Sequence, residues 1–81
     1  MSEIESTPVK LNLKGLLCPM PVVKIAQAIK TVEIGEIIEA TATDPGVMAD
    51  IPAWARSTGH ELMSMEKMEN KEIRFLVRRI K

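Results

Sequence analysis

Two prolines stand only two residues apart near the start of the chain, at Pro19 and Pro21. A pair this close would break the interior of a helix, but the first helical turn tolerates it because its N–H groups have no intrahelical partner. Residues 9–14, just before them, alternate apolar and polar side chains, which is typical of a half-buried strand. Gly15 interrupts that alternation. The prolines therefore predict a strand-to-helix connection, with a first helix that begins here.

The rest of the chain predicts a second helix and three more strands. The first helix should end near residues 31–33, and its apolar residues follow the i, i+3, i+4, i+7 spacing: Val22, Ile25, Ala26 and Ile29. Period-two alternation predicts strands over residues 36–43, 60–67 and 72–80. The second helix should run to about Thr58, with Gly59 as its C-cap. Its apolar face would consist of Val47, Ile51, Trp54 and Ala55.

Two features bear on where the second helix begins. Asp44 followed by Pro45 is a favourable N-cap pair, so the helix is predicted to start there. Pro52 conflicts with an unbroken helix because proline lacks the N–H that the interior requires. Two alternatives follow: the helix starts late, with Asp50 as a second cap, or it is kinked at Pro52.

The order βαβαββ predicts an α+β fold, a two-layer α/β sandwich with both helices packed on one face of a four-stranded mixed sheet. The other face of the sheet is expected to be exposed, in agreement with the polar residues that alternate along the strands. Residues 1–8 are polar and are expected to form a flexible N-terminal tail. Residues 9–81 are expected to form a single domain, since the chain is too short for two.

Composition excludes several classes of function. Eleven basic residues balance eleven acidic ones, and the chain has one Phe, one Trp and no Tyr, so direct nucleic-acid binding is not expected. A domain of this size rarely encloses a deep cavity, which favours a carrier or binding module. The longest uncharged stretch, residues 15–23, is too short to span a membrane, and the acidic N-terminus is not expected to be a signal peptide. A single cysteine indicates the reducing cytoplasm.

Cys18 is that single cysteine, and the secondary structure predicted from the sequence places it at the start of the first helix. Free N–H groups and the positive end of the helix dipole favour a negatively charged sulfur there, so we expect a lowered thiol pKa. Lys14 and Lys24 could add positive potential. The alternative is a buried structural cysteine. The position between a glycine-containing loop and a proline-rich helix start favours an exposed thiol.

The residues around the thiol limit its chemistry. A hydrolytic cysteine needs a base, and the only histidine is His60, which is more typical of a strand end than of a Cys18–His60 dyad. A dithiol redox role needs a second cysteine, and no metal-ligand spacing is present, so neither a metal nor another cofactor is expected. One thiolate can still accept a group and pass it to a partner's thiol. Sulfane sulfur held as a persulfide would suit such a transfer.

The segment Gly15-Leu16-Leu17-Cys18-Pro19-Met20-Pro21 matches the Gly-Leu-x-Cys-Pro-x-Pro signature of the TusA family, which includes the SirA-like, YedF and YeeD proteins. The segments 43–46, 50–52 and 54–60 also resemble that family, so the similarity covers about residues 9–80. The resemblance implies a βαβαββ sandwich. It also implies a carrier-type sulfurtransferase, in which Cys18 receives persulfide sulfur and relays it onward.

The resemblance further implies partners and site residues. Family donors are cysteine desulfurases and rhodanese-like proteins, and acceptors are DsrE-like proteins in tRNA thiolation or sulfur oxidation. Elbow residues around the thiol would be Gly15, Leu16, Pro19 and Pro21. Candidate partner-docking residues are Met20, Lys24, Asp44 and Asp50, although the pattern at Asp44 favours a plain helix cap over a docking role. Pro52 and Trp54 are expected to shape the core.

The chain departs from the family at Asn12, where many members have Asp. The missing charge could alter partner choice or the electrostatics at the thiol.

Two other classes of function compete with a carrier. One is a non-catalytic regulatory or RNA- or protein-binding module, since similar two-layer folds occur in the C-terminal domain of translation initiation factor three. The other is a thiol redox sensor that forms a sulfenic acid or mixed disulfide on Cys18. The methionines after the initiator are expected to fill the core and strands, with Met20 alternatively part of a docking patch.

Overall fold

The computed structural model describes residues 8–81, so the predicted tail lies, except for Pro8, outside the described residues. The elements follow the predicted order βαβαββ. They are β1 (Val9–Leu13), α1 (Met20–Ala28), β2 (Ile37–Ala42), α2 (Val47–Thr58), β3 (Glu61–Lys67) and β4 (Ile73–Arg78). A short 3₁₀ turn, Ile29–Thr31, extends α1 to the predicted end of the first helix.

The four strands form one mixed sheet in the order β1-β2-β4-β3. β1 pairs with β2 in parallel, and Leu13 lies opposite Ala42. β4 is antiparallel to both of its neighbours, β2 and β3. The register of β3 shifts between Leu62 and Ser64, which leaves Met63 as the extra residue of a bulge. Because β3 is antiparallel to β4, it runs in the same direction as β1 and β2.

The core lies between one face of the sheet and the two helices, which confirms the predicted two-layer sandwich. Helix α1 packs over β1 and helix α2 over β3. Alternate residues of the central strands are fully buried, as their period-two pattern predicts: Ile38, Ala40, Ala42, Ile73, Phe75 and Val77. The helices contribute Ile25 and Ile51 to the same cluster. Among residues 8–81 no charged or polar side chain is buried, so burial of apolar surface stabilises this layer.

The open face of the sheet carries charged side chains of both signs. Glu39 on β2 lies between Lys10 on β1 and Arg74 on β4, with N–O distances of 3.6 Å to each. Arg74 also contacts Glu66 on β3 at 3.4 Å. These exposed cross-strand pairs alternate in sign, so this face presents no broad patch of one charge.

Helix α2 begins at Val47, with Gly46 as its N-cap, and continues through Pro52. The late start, one of the two alternatives for this helix, is therefore wrong. The prediction that Asp44 caps the helix is partly right, although Gly46 is the residue directly before α2. Its carbonyl accepts the Val47 N–H and one of its side-chain oxygens accepts the Gly46 N–H, both at 3.1 Å, as in a cap. Its other side-chain oxygen accepts the Cys18 N–H, a contact that the cap pattern does not predict. Gly59 ends the helix with φ +85°, which confirms the predicted C-cap.

The expectation that the methionines fill the core and strands is only partly right. Met65 packs against the buried cluster, and Met68 is half-buried. Met20, Met48 and Met63 are instead exposed. Met20 and Met48 belong to the first turns of the two helices, and Met63 is the extra residue of the β3 bulge, where the side chains turn away from the core.

Within residues 8–81 the two helices are short, and neither is apolar enough over sufficient length to cross a membrane.

Candidate functional site

The sheet topology brings two loops together. Because β1 and β2 are parallel neighbours, their carboxyl ends meet at one edge of the sheet, and each chain then turns into a helix. The loop of residues 14–19 and the loop of residues 43–46 therefore lie side by side. A hydrogen bond from the Gly15 N–H to the Thr43 hydroxyl, 2.9 Å long, joins them. We call this edge the Cys18 edge.

The Cys18 loop is shaped by local conformation and by two apolar anchors. Gly15 has φ +82°, a conformation that other residues adopt only at a cost, and this turn ends β1. Leu16 is half-buried against the core, and Pro21, in the first turn of α1, is fully buried. Leu17 between them is 73% exposed. The anchors fix both ends of the loop, so Cys18 is held at the surface, not in the apolar stripe of α1.

Two carboxylates from the other loop and helix bind Cys18. Its backbone N–H donates to Asp44 Oδ2 at 2.7 Å, and its thiol donates to Asp50 Oδ2 at 2.9 Å. The second oxygen of Asp44 accepts the Gly46 N–H at 3.1 Å. Asp44 thus ties the backbones of the two loops together, while Asp50, in the first turns of α2, faces the sulfur. The structure brings together Cys18, Asp44 and Asp50, three of the residues singled out from the sequence.

These carboxylates raise the thiol pKa above its ordinary value of 9.0. The hydrogen bond to Asp50 is the largest cause, followed by loss of solvation and by the negative charges of Asp50 and Asp44. The expectation of a lowered pKa is therefore wrong. That expectation considered the helix dipole, whereas the carboxylate in direct contact with the sulfur acts in the opposite direction. No lysine contributes to the shift, and Lys14 instead lies 3.4 Å from Glu72.

His60 lies at the opposite edge of the sheet, because it precedes β3 and β3 runs in the same direction as β1. Its Nδ1 accepts the Ile80 N–H at 3.1 Å, and its ring packs on Trp54 with centroids 5.7 Å apart. Burial, then the positive charges of Arg79 and Lys81, lower the His60 pKa. A Cys18–His60 dyad is therefore absent. We call this second edge the His60 edge.

Exposed apolar side chains lie beside the thiol. Leu17 precedes Cys18, and Met20 and Val23 follow it on successive turns of α1, all three with at least 38% of their surface exposed. We call Leu17, Met20 and Val23 the apolar rim. Sequence reasoning singled out Met20 but missed Leu17, in the loop before α1, and Val23, because an apolar residue is normally expected in the core. The three-residue spacing of Leu17, Met20 and Val23 was the sequence signal that could have indicated a shared exposed surface.

Two other residues singled out from the sequence lie apart from the sulfur. Lys24 is exposed on α1, and it is not among the charges that shift the thiol pKa. Asn12 is exposed on β1, where its side-chain oxygen accepts the Lys14 N–H at 2.9 Å. An Asp at this position has an oxygen for the same bond, so the departure from the family pattern leaves the geometry of the Cys18 loop intact.

The fold and the site define a small class: α+β sandwiches of one four-stranded sheet and two helices that present a single surface thiol on the first strand-to-helix loop. The model of the family described as "Sulfurtransferase TusA" matches residues 9–79. The chain therefore belongs to the TusA family, as its sequence signature predicts. The match includes the Cys18 loop, both helices and all four strands.

Individual relatives agree with this assignment. The chain is 34% identical over 70 residues to the sulfur carrier protein TusA of Allochromatium vinosum, covering 86% of this chain and 91% of the relative. It is 43% identical over 67 residues to a protein of Archaeoglobus fulgidus, covering 83% and 87%. It is 52% identical over 56 residues to YrkF of Bacillus subtilis, covering 69% of this chain but only 30% of that longer protein.

A solved structure matches the fold. The crystal structure of the SirA-like protein from Desulfitobacterium hafniense superposes with a TM-score of 0.78, covering 90% of this chain and 99% of that one. The sequence identity of 16% is low, so this match concerns the arrangement of strands and helices alone.

Proposed function

We propose that this protein is a sulfur carrier that accepts sulfane sulfur as a persulfide on Cys18 and relays it to a protein acceptor. The observation that carries the proposal is the exposure of the only thiol, on a loop anchored at both ends, within a chain of the TusA family. A group that is loaded by one protein and unloaded by another must be reachable from outside. A buried thiol in the apolar stripe of α1 would not be.

The chemistry requires only one thiol on this chain. Cys18 attacks the outer sulfur of a donor persulfide, a new S–S bond forms at Cys18, the donor's S–S bond breaks, and the donor thiol is released. In the second transfer an acceptor thiol attacks the outer sulfur now held on Cys18, and Cys18 leaves as the thiol. No electrons are gained or lost overall, so neither a metal nor a redox cofactor takes part.

The surroundings of the thiol suit protein partners. The apolar rim offers exposed side chains that a docked protein would bury, and Asp44, Asp50 and Lys24 supply polar contacts around it. The donor in this proposal is a cysteine desulfurase or a rhodanese-like protein, and the acceptor is a DsrE-like protein, in tRNA thiolation or in sulfur oxidation. The reducing cytoplasm, where a free thiol persists, is the proposed location.

The pKa of the thiol argues against the redox-sensor alternative. Sensor cysteines have a lowered pKa, because the thiolate is the species that oxidants attack. Cys18 has a raised pKa, and Asp50 holds its hydrogen. A thiol that stays protonated at neutral pH is protected from random oxidation and exchange, which suits a carrier that should react only with a docked partner.

Intact mass spectrometry tests the proposal directly. The protein is mixed with a cysteine desulfurase and cysteine, or with a rhodanese and thiosulfate, beside a Cys18→Ala control. The expected result is a gain of about 32 Da, one sulfur atom, that dithiothreitol removes and that the control lacks. A protein whose reduced Cys18 gains no sulfur from any of these donors would contradict the carrier function.

A further inference from the structure

We propose that Asp50 is the proton acceptor of Cys18: it receives the thiol hydrogen while the sulfur attacks the donor persulfide, and it passes that hydrogen to the departing donor thiolate. This inference rests on the proposed carrier function and assigns a role to a second residue of the same site. The contact that carries it is the 2.9 Å hydrogen bond from the Cys18 thiol to Asp50 Oδ2.

The two carboxylates near the thiol have different tasks. Both oxygens of Asp44 are engaged by backbone N–H groups, those of Cys18 and Gly46, at 2.7 and 3.1 Å. Asp44 therefore holds the two loops together, and its hydrogen bonds go to backbone N–H groups and not to the sulfur. Asp50 lies on α2, half-buried, and among residues 8–81 it is the one side chain hydrogen-bonded to the sulfur. A proton acceptor must lie within hydrogen-bond reach of the proton that it removes, and Asp50 does.

The charges that face the thiol make an acceptor necessary. Asp50 from α2 and Asp44 from the loop before it both disfavour the thiolate, and no cation of α1 or of the Cys18 loop offsets them. At neutral pH the free protein therefore holds Cys18 as the thiol. The thiolate is the nucleophile in such an exchange, because a neutral thiol attacks poorly and would be left with a positively charged sulfur. The hydrogen must leave as the new S–S bond forms, and the carboxylate already bound to it is the group that can take it.

The transfer balances with Asp50 in this role. The Cys18 thiol gives its proton to the Asp50 carboxylate and its electron pair to the outer sulfur of the donor, R–S–SH. The new bond joins Cys18 Sγ to that sulfur, and the R–S bond breaks with its electron pair on R–S. The proton then moves from Asp50 to this leaving sulfur. The products are the Cys18 persulfide and R–SH, and Asp50 returns to its carboxylate form.

A pH profile of sulfur acceptance distinguishes this role from a structural one. The rate of sulfur acceptance from glutathione persulfide is measured by rapid quenching and intact mass, for the wild type and for Asp50→Asn. Ultraviolet absorbance of the thiolate gives the ionised fraction of each protein independently.

The wild type is expected to react from its thiol form, whereas the Asn variant needs a thiolate. The rate of the variant should therefore decrease relative to that of the wild type as the pH decreases. The ratio of wild-type to variant rate is expected to rise about tenfold per pH unit below the variant's thiol pKa. Ionisation of the donor affects both proteins equally and cancels.

Two further variants keep the test decisive. Asp50→Glu retains a carboxylate and is expected to restore the flat profile at a lower rate. Glu61→Gln, which removes a carboxylate at the His60 edge, is expected to behave as the wild type. A ratio between wild type and Asp50→Asn that stays constant with pH overturns the inference, and so does a thiolate-dependent profile for the wild type. Absence of any persulfide on wild-type Cys18 would instead refute the carrier function itself.

Discussion

The two edges of the sheet hold the only cysteine and the only histidine of the chain, and their electrostatics are opposite. At the Cys18 edge the nearest charges are Asp50 and Asp44, which raise the thiol pKa. At the His60 edge burial and two cations, Arg79 and Lys81, lower the imidazole pKa. In both places the neighbours favour the uncharged form of the residue. The formal net charge of the chain is zero, so it does not reveal that negative side chains face Cys18 while positive ones face His60.

The two edges also differ in what they expose. The Cys18 edge presents the apolar rim and an exposed thiol that donates its hydrogen to the side chain of Asp50. At the His60 edge the imidazole accepts a backbone N–H, and its ring is covered by Trp54. In the proposed function the Cys18 edge carries the reacting group, whereas the contacts at the His60 edge stabilise the fold. Net charge and composition do not distinguish them, because the distinction depends on which loops the parallel pairing of β1 and β2 brings together.

The largest expected difference in stability between variants at the two edges concerns Asp44. In Asp44→Ala the N–H groups of Cys18 and Gly46 lose their acceptor, and the two loops are no longer joined through this side chain. The free energy of unfolding is expected to fall by about 2 kcal/mol, as for the loss of hydrogen bonds to a charged group. Urea denaturation followed by circular dichroism measures this change.

Glu61→Ala is the matched control for Asp44→Ala. It removes a carboxylate at the His60 edge whose contact is an exposed pair with Arg78, with an N–O distance of 3.5 Å. Such pairs contribute about 0.2–1 kcal/mol, so this variant should lose less stability. Equal losses in the two variants would show that the bonds of Asp44 act as an ordinary surface ion pair.

The next largest difference compares two glycines. Gly15 and Gly35 have φ of +82° and +95°, and a Cβ at either position would meet no heavy atom within 4 Å. Alanine at each is therefore expected to cost about 1 kcal/mol through backbone conformation alone. Gly15 lies in the Cys18 loop, whereas Gly35 precedes β2 and so lies at the other edge. Only Gly15→Ala should also change the rate at which iodoacetamide alkylates Cys18.

The control is contained in this pair, because both variants are expected to lose similar stability in urea denaturation. Unchanged thiol reactivity in Gly15→Ala would mean that the conformation of Gly15 does not set the position of Cys18. Altered reactivity in Gly35→Ala would mean that the two edges communicate through the core.

Much of the fold was predictable from the sequence, because it depends on periodicity. The alternation in β2 and β4 places Ile38, Ala40, Phe75 and Val77 in the core, as the structure confirms. The proline pair marks the start of α1, and Gly59 marks the end of α2. These signals are local, and each acts within a few residues of the position that it determines.

The site was predictable in its residues but not in its electrostatics. Cys18, Asp44 and Asp50 could be singled out from motifs, yet the expected pKa shift had the wrong sign. The helix dipole is evident from the sequence, whereas the contact between Cys18 and Asp50 joins residues 32 positions apart. Similarly, Asp44 was expected to cap α2 because Asp before Pro is a common cap. Its side chain accepts the Gly46 N–H at the start of the helix, but it also binds Cys18, 26 positions away. Such contacts depend on the pairing of strands, which a local pattern does not specify.

The smallest expected effect concerns how each edge responds to pH. The lowered His60 pKa means that the folded state binds a proton less readily than the unfolded chain. This residue therefore contributes stability that is present above pH 6.5 and is lost as the pH falls through the folded-state pKa. The raised Cys18 pKa acts in the opposite direction, with stability present below pH 9.0 and lost as the pH rises through the folded-state value.

Urea denaturation at a series of pH values should therefore show an acid decline that is smaller in His60→Asn, whose amide oxygen can still accept the Ile80 N–H. The alkaline decline should be smaller in Cys18→Ala. If His60→Asn retained the whole acid decline, the carboxylates would account for it, and neither the burial of this imidazole nor the cations beside it would influence folding through its titration.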